Sequence, residues 1–149
     1  NKLKDFTVDF SEAERLYTAN FAFRQTTMTS LNIIGELPLN LEARTMFAQN
    51  RYLVSVTGTP VNISTFRFTD VFSGNPLLQE IRFAAGGIAN SFDIAYSSKL
   101  SDKSIQSVID GLVDCTGLTT RIIYFHTTVV KKLTEKQVKQ ITDKNWSIG

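Results

Sequence analysis

Apolar residues recur along this chain at a constant stride. Leu53, Val56 and Gly58 lie 25 residues before Leu78, Ile81 and Phe83, and 25 after Met28, Leu31 and Ile33. One more step back reaches Leu3, Phe6 and Val8, which makes four copies of apolar-x-x-apolar-x-(apolar or Gly). A second landmark keeps the stride: Phe21-Ala22, Met46-Phe47 and Val71-Phe72 each precede the next copy by six or seven residues. Self-similarity at such a period predicts a solenoid, because one unit cannot bury its apolar face without neighbours above and below. Within each copy the two-residue alternation predicts a short strand, with Thr7, Ser30, Asn32, Ser55 and Thr57 pointing outward.

The segments joining the strands predict less uniform structure. Ser11 with Glu14 makes a capping-box pattern for a helical turn carrying Leu16 and Tyr17. Phe21 and Phe23 are then expected to bring the chain back to the core. Gly35 and Pro38 mark a turn, and Asn40 is placed to cap a helical segment through Met46 and Phe47. After the turn at Gly58-Thr59-Pro60, the β-branched alternation of Val61 to Phe68 predicts an extended return leg, as does Ser91 to Tyr96 after Gly86-Gly87.

Beyond residue 99 the stride breaks. Ser101 is a good N-cap for a helix with Ile105, Val108, Ile109 and Leu112 on one face, and Gly117 fits its end. Ile122 to Phe125 predicts a strand continuing the same parallel ladder. Thr134 to Gln137 forms a second capping box, before a helix with Val138 and Ile141 on one face. Trp146 and Ile148 predict a closing strand. The reading is therefore an α/β chain: four coils of stacked parallel strands over 1–99 with variable return legs, and a helical continuation and helix-strand cap over 100–149. The first copy opens at Leu3 with no polar cap before it, so a longer chain is expected to precede it.

Composition narrows the function. The 149 residues are 42% hydrophobic and 20% charged, with a formal net charge of +2, as in an ordinary folded domain rather than a nucleic-acid-binding one. The local excess of Lys131, Lys132, Lys136 and Lys139 predicts a solvated helix face. No apolar run is long enough to insert in a membrane. A single cysteine, Cys115, forms no internal disulfide, and at a helix end it is expected to be unreactive. The single histidine, His126, follows a strand end without a nucleophile motif and is expected to be structural or at the surface. No catalytic residue, metal site or cofactor is therefore assigned. Gly86-Gly87 lacks the flanks of a phosphate loop and predicts a turn. Asn62-Ile63-Ser64 and Asn145-Trp146-Ser147 match the glycosylation sequon by chance on this reading.

The outward face of the ladder remains as the candidate ligand-binding surface. Alternation predicts one row of Thr7, Asn32, Thr57 and Arg82, extended by Tyr124, beside a row of Asp5, Ser30, Ser55 and Glu80. Exposure of Ile34 or Val54 would favour a protein partner.

Met46-Phe47-Ala48-Gln49-Asn50-Arg51-Tyr52-Leu53-Val54-Ser55-Val56 and the matching stretch from Val71 to Ile81 resemble BspA-type leucine-rich repeats, with Asn50 and Asn75 at the family's Asn/Cys position and Gln25 near it in the first copy. Leu100 to Leu112 with Thr116-Gly117-Leu118, and above all Leu133 to Trp146, are similar to the terminal repeats of leucine-rich proteins of gut bacteriophages and prophages. The resemblance implies a leucine-rich-repeat solenoid and a non-enzymatic role in a virion, on a tail, fibre or other appendage. The partners it implies are other virion proteins or a host-surface protein or glycan, and self-association is compatible with it. An adhesin-like domain at the bacterial cell surface is the alternative.

Overall fold

A computed structural model describes residues 4–13, 15–38, 41–67 and 70–149. Three short strands, β1 (Asp5–Asp9), β2 (Ser30–Ile34) and β3 (Ser55–Gly58), form a parallel sheet in that order. Their register reproduces the stride residue for residue: Asp5 pairs with Ser30 and Ser30 with Ser55, Phe6 with Leu31 and Leu31 with Val56. The fourth copy joins in the same step through a bridge between Ser55 and Glu80. Alternation decides which side chains are covered. Leu31, Ile33 and Val56 are buried while Thr7 and Thr57 are exposed, and Met28, Leu53 and Leu78 are fully buried at the equivalent place in each copy. The first member of that column, Leu3, lies outside the described residues, as do Glu14 and Asn40 of the two expected caps and Phe68 at the end of a return leg. Leu53→Ala should therefore cost about 2–5 kcal/mol, and Thr57→Ala no more than about 0.5 kcal/mol, as read from urea midpoints.

The connecting segments form rungs of their own without becoming strands. Ala19, Phe21, Phe23 and Gln25 donate backbone hydrogen bonds to the carbonyls of Glu42, Arg44, Met46 and Ala48, and Phe47 and Gln49 donate to Val71 and Ser73. Here the first step shortens by one residue. Phe23, rather than Phe21, stacks on Phe47 (ring centroids 5.5 Å apart), and Phe47 stacks on Phe72 at 5.4 Å. Phe6, Phe83 and Phe92 prolong this aromatic line at both ends. Phe21 sits 52% exposed, with the Arg24 guanidinium 5.7 Å from its ring. Its expected return to the core is thus overturned, because the left-handed backbone at Phe21 (φ 62°) turns the ring outward. The leg from Val61 is not a strand either: Val61 bridges to Phe83, and the chain turns at Ser64-Thr65 after the Asn62 side chain accepts from the Ser64 amide.

α1 (Asp102–Gly111) begins at Ser101, whose hydroxyl accepts from the Ser104 amide. This helix closes the open edge of the fourth copy. The Ser104 and Ser107 hydroxyls accept from the backbone N–H groups of Ile81 and Phe83, at 3.0 and 2.9 Å. Gly111 lets the helix approach that edge, since a Cβ there would stand 2.8 Å from the Phe83 Cβ. An unpaired edge is thereby satisfied and covered. The double change Ser104→Ala with Ser107→Ala should cost about 2–4 kcal/mol, because two amides lose their acceptors under a helix that excludes water. Thermal denaturation of the double variant checks this.

With that edge occupied, the chain starts a second parallel sheet: β4 (Phe92–Asp93), β5 (Arg121–Tyr124) and β6 (Trp146–Ile148). β5 was expected to prolong the first ladder, but it pairs with the return leg of the fourth copy at Phe92–Asp93. α1 ends at Gly111 with Leu112 as its C-cap, so Gly117 belongs to the following turn and not to a helix end. α2 (Thr127–Val130) and α3 (Glu135–Asp143) connect β5 to β6. The capping box of Thr134 and Gln137 is formed, and Ile141 is buried while Val138 is only partly covered. One continuous core runs from Phe10 to Trp146. The architecture is mixed α/β with two three-stranded parallel sheets.

Candidate functional site

The register brings eight of the nine predicted surface residues onto one face. Thr7, Asn32 and Thr57 form one row and Asp5, Ser30, Ser55 and Glu80 another, with Arg82 two places beyond Glu80. Tyr124 is the exception. It pairs with Asp93 in the second sheet and cannot extend the first row. Most of these side chains already have partners within their own row or just outside it. The Ser30 hydroxyl donates to Asp5 Oδ1 at 2.5 Å, and Thr57 reaches Asn32 Oδ1 at 3.4 Å. Arg82 Nη2 donates to the Gly58 carbonyl at 2.9 Å, and Glu80 Oε2 accepts from Ser101 at 3.1 Å. Ile34, at 41% exposure, lies at the end of this face, and Val54 is half-buried.

A second feature arises where each return leg turns into its strand. Asn50 and Asn75 are completely buried there and form a ladder of carboxamides. Asn75 Nδ2 donates to the Phe47 and Phe72 carbonyls, and Asn75 Oδ1 accepts from the Asn50 amide at 2.8 Å. Asn50 repeats the arrangement: its Nδ2 donates to Phe23 and Phe47, and its Oδ1 accepts from the Thr26 amide at 2.7 Å. Thr26, one place after Gln25, therefore takes the equivalent place in the first copy. The rung ends at Ser97, whose hydroxyl donates to the Asn75 carbonyl.

Each asparagine follows a residue in left-handed backbone. Gln49 has φ 58° and Gly74 has φ 75°, and Gln25 has φ 58° before Thr26. These corners stack beside a pocket of about 440 Å³ lined by Gln25, Gln49, Arg51, Ser73, Gly74, Pro76 and Tyr96. Gln49 Oε1 accepts from Arg24 Nε and Nη2 and from Gln25 Nε2, at 3.2, 2.9 and 2.8 Å. The sequence signal for this pocket was the pair of dipeptides Gln49-Asn50 and Gly74-Asn75 at the repeat step. Periodicity alone credits such positions to structure, so the pocket was missed.

Groups singled out for chemistry have structural places. His126 Nδ1 accepts from the Thr128 amide as the N-cap of α2. Cys115 is buried and unpaired. Lys131, Lys132, Lys136 and Lys139 are exposed, with Lys139 paired to Asp143 at 2.8 Å. Among the described residues no cluster of His, Cys, Asp or Glu is arranged to hold a metal ion, and no helix is long and apolar enough to cross a membrane. Hydrogen bonds from Ser11 and from Thr116 hold the Asp9 and Asp114 carboxyls below the ordinary aspartate value. Burial holds Lys144 below the usual lysine value while its ammonium caps the carbonyls of Ile109 and Leu112 at the end of α1. None of the three lines the pocket, and Asp9 lies beside Ile34 at the end of the outward face. Comparison with family models, with curated proteins and with solved structures gave no match.

Proposed function

We propose that the chain is a leucine-rich-repeat solenoid serving as a non-enzymatic binding module of a bacteriophage virion, on a tail, fibre or appendage that contacts the host surface or a neighbouring virion protein. The observation that carries the reading is the residue-for-residue 25-step register of the first sheet. The buried asparagine ladder and the phenylalanine line follow the same rungs. Stacking of this kind makes a stiff wall whose surface groups are held at fixed spacing, which suits recognition. The outward polar rows and the corner pocket supply two surfaces for contact.

Antibody raised against the chain should decorate purified particles at one place on the tail under negative stain. Particles that stay bare while intact bacteria are labelled would overturn the virion setting in favour of a cell-surface adhesin.

A further inference from the structure

We infer that the corner pocket is a saccharide site selective for a sugar bearing a carboxylate, as in a uronic-acid-containing glycan. This rests on the reading of the chain as a binding module and goes beyond it in assigning the site and the ligand class.

Two side chains at the pocket have no other task. Arg51 is exposed and makes no hydrogen bond or ion pair with another described residue, and Tyr96 is 62% exposed with no ring contact to a described side chain. They differ from Arg24, which is held by Gln49 and lies over Phe21. A free guanidinium presents a planar fork matched to a carboxylate. A free tyrosine ring offers a flat apolar surface with a hydroxyl at its end, suited to the C–H face of a pyranose.

The remaining lining fits a polyhydroxylated ligand. With Gln49 Oε1 occupied by Arg24 and Gln25 Nε2, Gln49 Nε2 is left to donate to sugar hydroxyls and Gln25 Oε1 to accept from them. The Ser73 hydroxyl donates to Asp93 Oδ2 at 3.3 Å, so its oxygen is left to accept from the ligand. No Asp or Glu lines the pocket itself. Gly74 keeps the floor low, since a Cβ there would stand 3.0 Å from Gln49 Cγ. The volume falls within the range of about 300–1,000 Å³ usual for small-molecule sites.

A peptide is the weaker fit. Gln25 and Gln49 already donate their amides to Ala48 and Ser73 along the rungs. No unpaired strand edge is offered there for an extended chain to join.

The test is titration of the protein with tetragalacturonic acid, with galactotetraose as the neutral control and hexaglutamate as the acidic peptide control. Arg51→Gln, Tyr96→Ala and the remote Lys136→Gln are compared at unchanged Tm. The acidic sugar should bind at least about tenfold more tightly than the neutral one, the worth of one charge-assisted hydrogen bond. Arg51→Gln should remove that preference, Tyr96→Ala should weaken both sugars, and Lys136→Gln should match wild type. The inference is overturned if wild type binds neither sugar, if Lys136→Gln loses as much as Arg51→Gln, or if both pocket variants bind like wild type. It is also overturned if hexaglutamate binds as well as the acidic sugar with the same dependence on Arg51, which would make the pocket an acidic-peptide site. Pocket variants that still adhere to virion or cell-envelope material would sink the pocket alone. Wild type that adheres to neither would sink the binding-module reading.

Discussion

Asn75→Ala is expected to lower the unfolding free energy by about 2–6 kcal/mol, from two buried groups each worth about 1–3 kcal/mol when left without a partner. The two groups are the Asn50 amide and the Phe72 carbonyl, which Asn75 satisfies at 2.8 and 2.7 Å. The Phe47 carbonyl keeps a second donor in Asn50 Nδ2 and should suffer less. Urea denaturation would report the change as a lower midpoint at unchanged slope. A loss below about 1 kcal/mol would mean that water reaches the corner and takes over the bonds, and that the ladder is not the strut inferred here. Asn75→Asp sharpens the test. It has the same shape and keeps the acceptor for the Asn50 amide, but it presents oxygen to two carbonyls. The ionised form is disfavoured in the folded chain, so the folded pKa lies above the unfolded aspartate value. Whatever stability this variant retains is then fully present below that value and is lost as pH rises through the folded pKa. The variant should therefore be closer to wild type near pH 4 than at pH 7.

Phe47→Ala should cost about 3–5 kcal/mol, as deletion of a buried aromatic ring usually does. Phe47 is fully buried and stacks on Phe23 and Phe72 from both sides, so no neighbouring side chain can collapse into the gap without breaking the line. Phe21→Ala is the informative partner. It removes a half-exposed ring whose contact with Arg24 is of a kind worth about 0.5–1 kcal/mol at the surface. A ratio of several-fold between the two losses is expected in thermal or chemical denaturation. Equal losses would mean that Phe21 packs in the core as the 25-residue spacing first suggests.

The contrast between those two phenylalanines shows where the chain could be read directly. Strand alternation and the 25-step stride are properties of neighbouring residues repeated, so Leu31, Ile33, Leu53, Val56 and Leu78 were placed from their spacing. The two outward rows followed from the same alternation. Helix signals of one or two turns were equally legible: Ser101 and Thr134 cap the helices their sequences announce. The return legs were not legible in this way. Their residues are held by backbone rungs and left-handed corners, and a one-residue contraction between Phe23 and Phe47 changes which ring faces in. The corner pocket escaped for the same reason, since Gln25, Arg51, Ser73 and Tyr96 meet only after segments of all four copies have stacked.

The second sheet makes the point at larger scale. Ile122 to Phe125 announced a strand, and Trp146 with Ile148 another, but their apolar alternation carries no address for a partner. The address came from α1. By placing Ser104 and Ser107 against the N–H groups of Ile81 and Phe83, it used up the edge that another strand would have joined. Tyr124 was thereby moved to a different sheet. Local periodicity thus decided which residues of this chain form strands and helices and which of their faces are apolar. Competition for unpaired backbone groups, which exists only in the assembled chain, decided where the first ladder stops, where the second begins and which polar residues meet at the pocket.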